Sequence, residues 1–134
     1  MRFLILFICI LLTSCMPSTV VELKSEATEK TFITENSYQA VYRDLKNYLN
    51  MCIPGGFLAA VFRVEGNIYN ELREAELTVR HNNMGDKSVM VHIELKAIND
   101  KTQVTSYSAP IGIWKNYSDT IENHVKKGNT ECGF

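Results

Sequence analysis

Apolar side chains recur at steps of three and four residues in one stretch of the first half of the chain. They are Tyr38, Val41, Tyr42, Leu45, Tyr48 and Leu49. Because this spacing follows the α-helical period, these side chains share one face of an amphipathic helix. Asn36 or Ser37 can cap its start, and the helix runs to about Asn50. A Pro-Gly-Gly sequence at 54–56 ends it, since proline cannot continue a helix.

Elsewhere the apolar positions follow the two-residue period of β-strands. A short strand is expected at residues 31–34, ahead of the helix, where β-branched and aromatic residues cluster. Four more strands are expected after the helix, at residues 57–64, 68–81, 87–98 and 102–108. Turn-forming residues separate them at 65–67, 82–86 and 99–100. Short turns between successive strands predict an antiparallel meander.

The segment at residues 87–98 divides clearly into two faces. One face carries Val89, Val91, Ile93, Leu95 and Ala97, and the other carries Met90, His92, Glu94 and Lys96. A sheet with this alternation has one buried face and one solvated face. The solvated face offers a candidate interaction surface made of Arg80, Met90, His92, Glu94 and Lys96. Mixed polar faces of this kind are more often simply solvated.

A second helix is expected near the end of the chain, at residues 113–127. Trp114, Tyr117, Ile121 and His124 or Val125 follow helical spacing, and Gly128 is placed to end the helix. The order strand, helix, four-strand meander, helix predicts an α+β fold. It has an antiparallel sheet of four to five strands with two helices packed on one face. In element order alone, this resembles helix-grip folds, including repeats in accessory lipoproteins of outer-membrane barrel assembly.

Composition supports one folded domain. The chain has 134 residues, of which 46% are hydrophobic and 22% charged, with a formal net charge of −1. These values argue against disorder, which requires low hydrophobicity and high net charge. They also argue against a nucleic-acid partner, because lysine and arginine are not in excess. We expect a single α+β domain at residues 31–134.

The first residues form an export signal. Arg2 precedes ten apolar residues at 3–12, and ten helical residues reach only about half of a bilayer core. This run is therefore a signal-peptide core rather than a membrane span. The sequence Leu12-Thr13-Ser14-Cys15 follows, and it resembles the lipobox of bacterial lipoproteins. More broadly, the chain resembles small Gram-negative lipoproteins with one disulfide and an α+β domain.

The lipobox resemblance implies cleavage between Ser14 and Cys15 and attachment of lipid to the Cys15 thiol. Residues 1–14 are then the signal peptide, and the membrane is a partner through the lipid on Cys15. Met16 stands where aspartate often retains such proteins in the inner membrane, which favours a periplasm-facing outer-membrane location in a Gram-negative cell. The alternative is an ordinary secretory signal. Residues 15–30 show no apolar periodicity and are interpreted as a lipidated, flexible tether reaching up to about 50 Å.

The remaining cysteines form a single pair. Cys9 leaves with the signal and Cys15 takes the lipid, so Cys52 and Cys132 remain in an exported chain. We predict a disulfide between them, because the compartment is oxidising. A reactive or metal-binding pair is the alternative, but neither cysteine has a histidine or third cysteine at ligand spacing.

Motifs for catalysis or cofactor binding are missing from the sequence. His81, His92 and His124 lie on different expected elements and are interpreted as solvent-facing, without a metal site. Glu74 and Glu76 share a strand face, where solvation explains them better than a catalytic pair. Tyrosines and Trp114 could line a groove for peptide or lipid, although core filling explains their spacing better. We expect no cofactor, no metal and no catalytic residue.

The expected function is a non-enzymatic, membrane-anchored envelope lipoprotein that contacts a protein partner. An alternative is an inhibitor or immunity protein against a cell-wall enzyme, with residues 82–86 as the inserted loop. An enzyme with a dispersed site is a third, weaker alternative.

Overall fold

Five strands and three α-helices make up the described part of the chain, residues 16–53 and 60–133 of a computed structural model. The α-helices are α1 at Val20–Glu26, α2 at Tyr38–Cys52 and α3 at Tyr117–Lys127. The strands are β1 at Thr28–Thr34, β2 at Ala60–Tyr69, β3 at Glu74–Asn83, β4 at Asp86–Ile98 and β5 at Lys101–Ser108. A 3-10 helix at Gly112–Asn116 leads into α3.

The strands form one antiparallel sheet in the order β1-β5-β4-β3-β2. Strands β2 to β5 are a meander, and β1 pairs with β5 at the edge, from Thr28 opposite Ser108 to Thr34 opposite Thr102. The predicted α+β class and the order strand, helix, four-strand meander, helix are confirmed. An additional helix, α1, precedes the first strand.

Helix α2 covers the apolar face of the sheet. Its cap is Ser37, whose Oγ accepts a hydrogen bond from the Ala40 backbone N–H at 3.3 Å. The six predicted apolar positions are all buried, and the helix ends at Cys52. The period of three and four therefore identified the buried face correctly.

The predicted turn at residues 65–67 is wrong, because β2 continues through them to Tyr69. Gly66 lies opposite Leu77, and a Cβ on Gly66 would be 2.6 Å from Tyr42 Oη and 2.7 Å from a Leu77 methyl. The glycine therefore permits close approach of α2 to the sheet rather than a turn. The chain reverses at residues 70–73 instead. Residues 57–59 of the expected second strand lie outside the described residues.

Helix α3 packs on the same face as α2, over β1 and β5. Ser118 Oγ lies 3.1 Å from Ser108 Oγ, and Lys30 of β1 pairs with Asp119 and Glu122. The predicted helix at 113–127 is present as the 3-10 helix followed by α3. Gly128 ends it with a φ of +64°, as expected of a left-handed C-cap.

The Cys52–Cys132 disulfide is confirmed and joins α2 to the segment after α3. The two Cα atoms are 5.2 Å apart. Nearby, Tyr48 Oη donates a hydrogen bond to the Glu131 carbonyl at 2.6 Å, and the His124 ring stacks on Tyr48 at 3.9 Å between centroids. The bridge thus lies beside a packed contact between the two helices and the C-terminal segment.

From residue 17 onwards, the structure differs from the flexible tether predicted at residues 15–30, and Cys15 lies outside the described residues. Helix α1 begins with a capping box, in which Thr19 accepts from the Glu22 N–H and the Glu22 side chain accepts from the Thr19 N–H. Leu23 is fully buried, and the Pro17 carbonyl accepts a hydrogen bond from the Val89 N–H at 2.8 Å. Residues 17–30 therefore belong to the folded domain. One buried apolar residue in seven is too few to produce the periodicity that predicts a helix.

Candidate functional site: the polar sheet face

The face of the sheet opposite α2 and α3 carries most of the polar side chains of the central strands. Thr78, His92 and Tyr107 lie in register across β3, β4 and β5, and Glu76, Glu94 and Thr105 form the next row. We call this surface the polar sheet face. It includes the candidate residues predicted from the sequence.

Helix α1 lies across part of this face. Lys24 Nζ donates a hydrogen bond to Glu94 Oε1 and lies 4.9 Å from the centre of the Tyr107 ring. The two predicted helices share the apolar face, as expected, and α1 is an additional helix, not predicted from the sequence, on the opposite face. Sequence reasoning missed Lys24 because it placed this segment in a tether, although the Thr19–Glu22 capping box was a readable signal.

Two of the five candidate residues are buried, which corrects the prediction that all five are solvated. Met90 is 1% exposed and His92 is 3% exposed. Met90 lies at a β-bulge, because Val91 pairs with Val79 whereas Val89 pairs with Arg80. The structure places Arg80 and Glu94 at partly exposed positions and leaves Lys96 exposed.

His92 is a buried, neutral side chain rather than a solvent-facing one. Its Nδ1 lies 2.9 Å from Thr78 Oγ1, and its Nε2 lies 3.6 Å from Glu94 Oε1. Burial lowers the pKa of His92, and this outweighs the opposite effect of the Glu94 carboxylate. His124 is also buried, on the other side of the molecule, where its Nε2 lies 3.0 Å from Asp44 Oδ2. The three histidines do not come together.

Beside α1, the polar sheet face opens into a groove. One part has a volume of about 300 Å³ and is lined by side chains that include Lys24, Glu65, Glu76, Arg80, His92 and Glu94. An adjoining part of about 280 Å³ shares Glu76 and Glu94 and extends to Tyr69, Glu74, Lys96 and Gln103. We call the two parts together the polar groove.

Positive and negative groups alternate along the polar groove. Arg80 Nε donates to Glu65 Oε2 at 2.8 Å, and Lys96 Nζ lies 3.4 Å from Glu74 Oε1. Exposed pairs of this kind contribute little to stability and can exchange partners. The groove therefore presents alternating charges that suit a polar, charged partner.

Glu76 lies at the centre of the polar groove and is held as a carboxylate. It accepts hydrogen bonds from Tyr69 Oη at 2.9 Å and from Asn67 Nδ2 at 3.0 Å. Burial acts to raise the pKa of Glu76, but these two hydrogen bonds and the nearby Lys24 ammonium hold that pKa below its ordinary value. Glu74 and Glu76 share the face, as expected, but each has its own hydrogen-bonding or ionic partner.

Neither Glu76 nor His92 has the properties of a general acid or base in this arrangement. A general acid or base needs a pKa near neutrality and access to substrate, whereas Glu76 is stabilised as an anion and His92 is covered. Within residues 16–53 and 60–133, no group of three His, Cys, Asp or Glu side chains is placed to hold a metal ion. The aromatic side chains of α2 and Trp114 are buried in the core, and Tyr69 is the exposed aromatic residue of the groove.

Searches against protein-family models, curated proteins and solved structures find no match to this chain. Among the residues that the structure describes, no helix is both long enough and apolar enough to cross a bilayer.

Proposed function

We propose that this chain is a non-enzymatic lipoprotein of the bacterial cell envelope. It is anchored through a lipid on Cys15 and contacts a protein partner in the periplasm. The observation that carries the proposal is the sequence Leu12-Thr13-Ser14-Cys15, placed directly after the apolar run at residues 3–12. The confirmed Cys52–Cys132 bridge supports it, because stable disulfides are typical of exported proteins.

The polar groove is the proposed contact surface. Its alternating charges favour a partner with complementary charges, and Arg80, Glu94 and Lys96 retain solvent access. Of the five residues predicted as an interaction face, these three are the ones that a partner can reach, because Met90 and His92 are buried. An envelope-assembly protein as partner would agree with the proposal.

The alternative is an inhibitor or immunity protein that inserts a loop into a cell-wall enzyme. The observation that favours it is the tip of the β3–β4 turn, where Met84 is 89% exposed. A partner that is a hydrolase and contacts this tip would support the alternative.

Cell fractionation tests the anchor. Cys15→Ser should move the protein from the washed membrane fraction to the soluble periplasm, because the thioether can no longer form. Cys9→Ser is the matched control, since it changes a cysteine of the apolar run and leaves the attachment site intact. Membrane association of Cys15→Ser equal to that of the wild type would contradict the proposal.

Capture of crosslinked partners tests the contact surface. Lys96→Glu should reduce recovery of the partner several-fold, because it reverses an exposed charge of the groove. Lys127→Glu is the control, because this exposed lysine ends α3 on the opposite side of the sheet. Equal recovery with both variants would place the contact elsewhere.

A further inference from the structure

We propose that one end of the sheet lies against the lipid surface and that Met84 contacts lipid there. This end, which we call the anchor end, comprises Pro17, the β3–β4 turn at residues 84–85 and the segment at residues 109–113. The inference rests on the proposed lipid attachment at Cys15. It adds an orientation of the domain, with a membrane-contacting surface that does not follow from anchoring alone.

The length of the connection keeps the anchor end close to the membrane. The Pro17 carbonyl is hydrogen-bonded to the Val89 N–H of β4, so the chain is fixed to the sheet at this point. Cys15 is only two residues earlier, and two residues span at most about 7 Å. A lipid on Cys15 therefore holds Pro17 within about the thickness of one headgroup layer from the point where the lipid joins the chain.

The sheet register places two other segments at the same end as Pro17. The β3–β4 turn follows the Asn83–Asp86 pair. Asp86 is three residues from Val89, about 10 Å along a strand, and Met84 lies beyond it in the turn. The segment after β5 begins with Ala109, whose N–H donates to the Met90 carbonyl at 2.8 Å. The distance from Val89 to the tip of the turn is greater than the distance that two residues allow between Pro17 and Cys15. When the strands point towards the membrane, the turn therefore reaches the lipid surface.

The side chains of the anchor end suit contact with lipid. Three exposed residues there are apolar, Met84, Ile111 and Ile113, and the exposed Met16 directly precedes Pro17. Such side chains enter the boundary between headgroups and acyl chains more readily than polar ones. The opposite end of the sheet also exposes Leu72 and Ile33, so exposure alone does not choose between the ends. The short connection to Cys15 makes that choice.

Photo-crosslinking to lipid tests the orientation. A photoreactive amino acid is placed in the full chain at Met84, at Leu72 or at Lys96, one position at a time. Met84 and Leu72 are a matched pair, because both are exposed apolar residues in turns, at 89% and 66%, at opposite ends of the sheet. Lys96 reports on the polar sheet face. The variants are illuminated in membranes that contain alkyne-labelled phospholipid.

We expect lipid adducts at Met84 several-fold above those at Leu72 and Lys96. Equal or greater labelling at Leu72 or Lys96 would overturn the proposed orientation. A protein adduct at Met84 in place of lipid would also overturn it and would support the inserted-loop alternative.

A second variant tests the short connection itself. Ten glycine and serine residues inserted between Met16 and Pro17 extend the reach to about 40 Å. The lipid adduct at Met84 should fall towards the level at Leu72, and unchanged labelling would overturn the argument. The mass of the N-terminal peptide distinguishes failure of the proposed orientation from failure of the proposed lipid anchor. A lipidated Cys15 without a Met84 adduct refutes the orientation alone, whereas an unmodified Cys15 refutes the proposed function as well.

Discussion

Replacing Leu23 with alanine should lower the free energy of unfolding of the domain by about 3 kcal/mol. Leu23 is fully buried although it lies in a helix of seven residues near the start of the described chain. The substitution removes three carbon groups, and burial contributes about 0.8 kcal/mol for each, or about 2.4 kcal/mol together. The cavity left behind adds to this loss, because the sheet beneath α1 can collapse only partly.

Urea unfolding of the exported Cys15→Ser protein, with its disulfide oxidised, measures this loss. Val21→Ala is the matched control, because Val21 lies in the same helix and is 79% exposed. We expect the control to stay within about 0.5 kcal/mol of the parent protein. If Leu23→Ala is as stable as the control, α1 does not contribute to the fold and residues 17–30 behave as a tether.

Two further changes test the bridge and the buried histidine. Replacing both Cys52 and Cys132 with serine should cost about 4.5 kcal/mol in urea unfolding, since the bridge spans 80 positions in the sequence; a loss under about 1 kcal/mol would contradict this. Burial lowers the pKa of His92, so below its ordinary value, about 6.5, the unfolded chain binds more protons than the folded one. Stability should therefore fall on acidification below this value, by up to about 1.4 kcal/mol per pH unit, and His92→Gln should flatten that slope. An identical slope in the variant and the parent between about pH 6.5 and 5 would refute the assignment.

The features that sequence reasoning captured depend on local periodicity. Helix α2 has six apolar positions at regular spacing, and all six are buried. Regular alternation likewise located most of β4. The disulfide could be predicted because only two cysteines remain beyond the predicted signal peptide and lipidation site. In these segments one element covers another with a large, continuous apolar face, so the pattern along the chain reflects the packing directly.

The features that it missed depend on contacts between distant segments. Glycine is common in turns, so the sequence alone indicates a turn at Gly66. In the structure its missing side chain leaves room for the Tyr42 ring against the sheet. That role can be predicted only when the position of α2 is known. Alternation correctly placed His92 on the polar sheet face, yet it could not show that α1 covers that face. Helix α1 is held by one buried leucine and a hydrogen bond to β4, and neither produces a repeating pattern.

The mass of the N-terminal peptide of protein purified from native membranes tests the central claim most directly. The proposal predicts a peptide that begins at Cys15 and carries a diacylglyceryl group on sulfur, with residues 1–14 removed. An N-terminal peptide with an unmodified Cys15 thiol, or one that still begins at Met1, would contradict it.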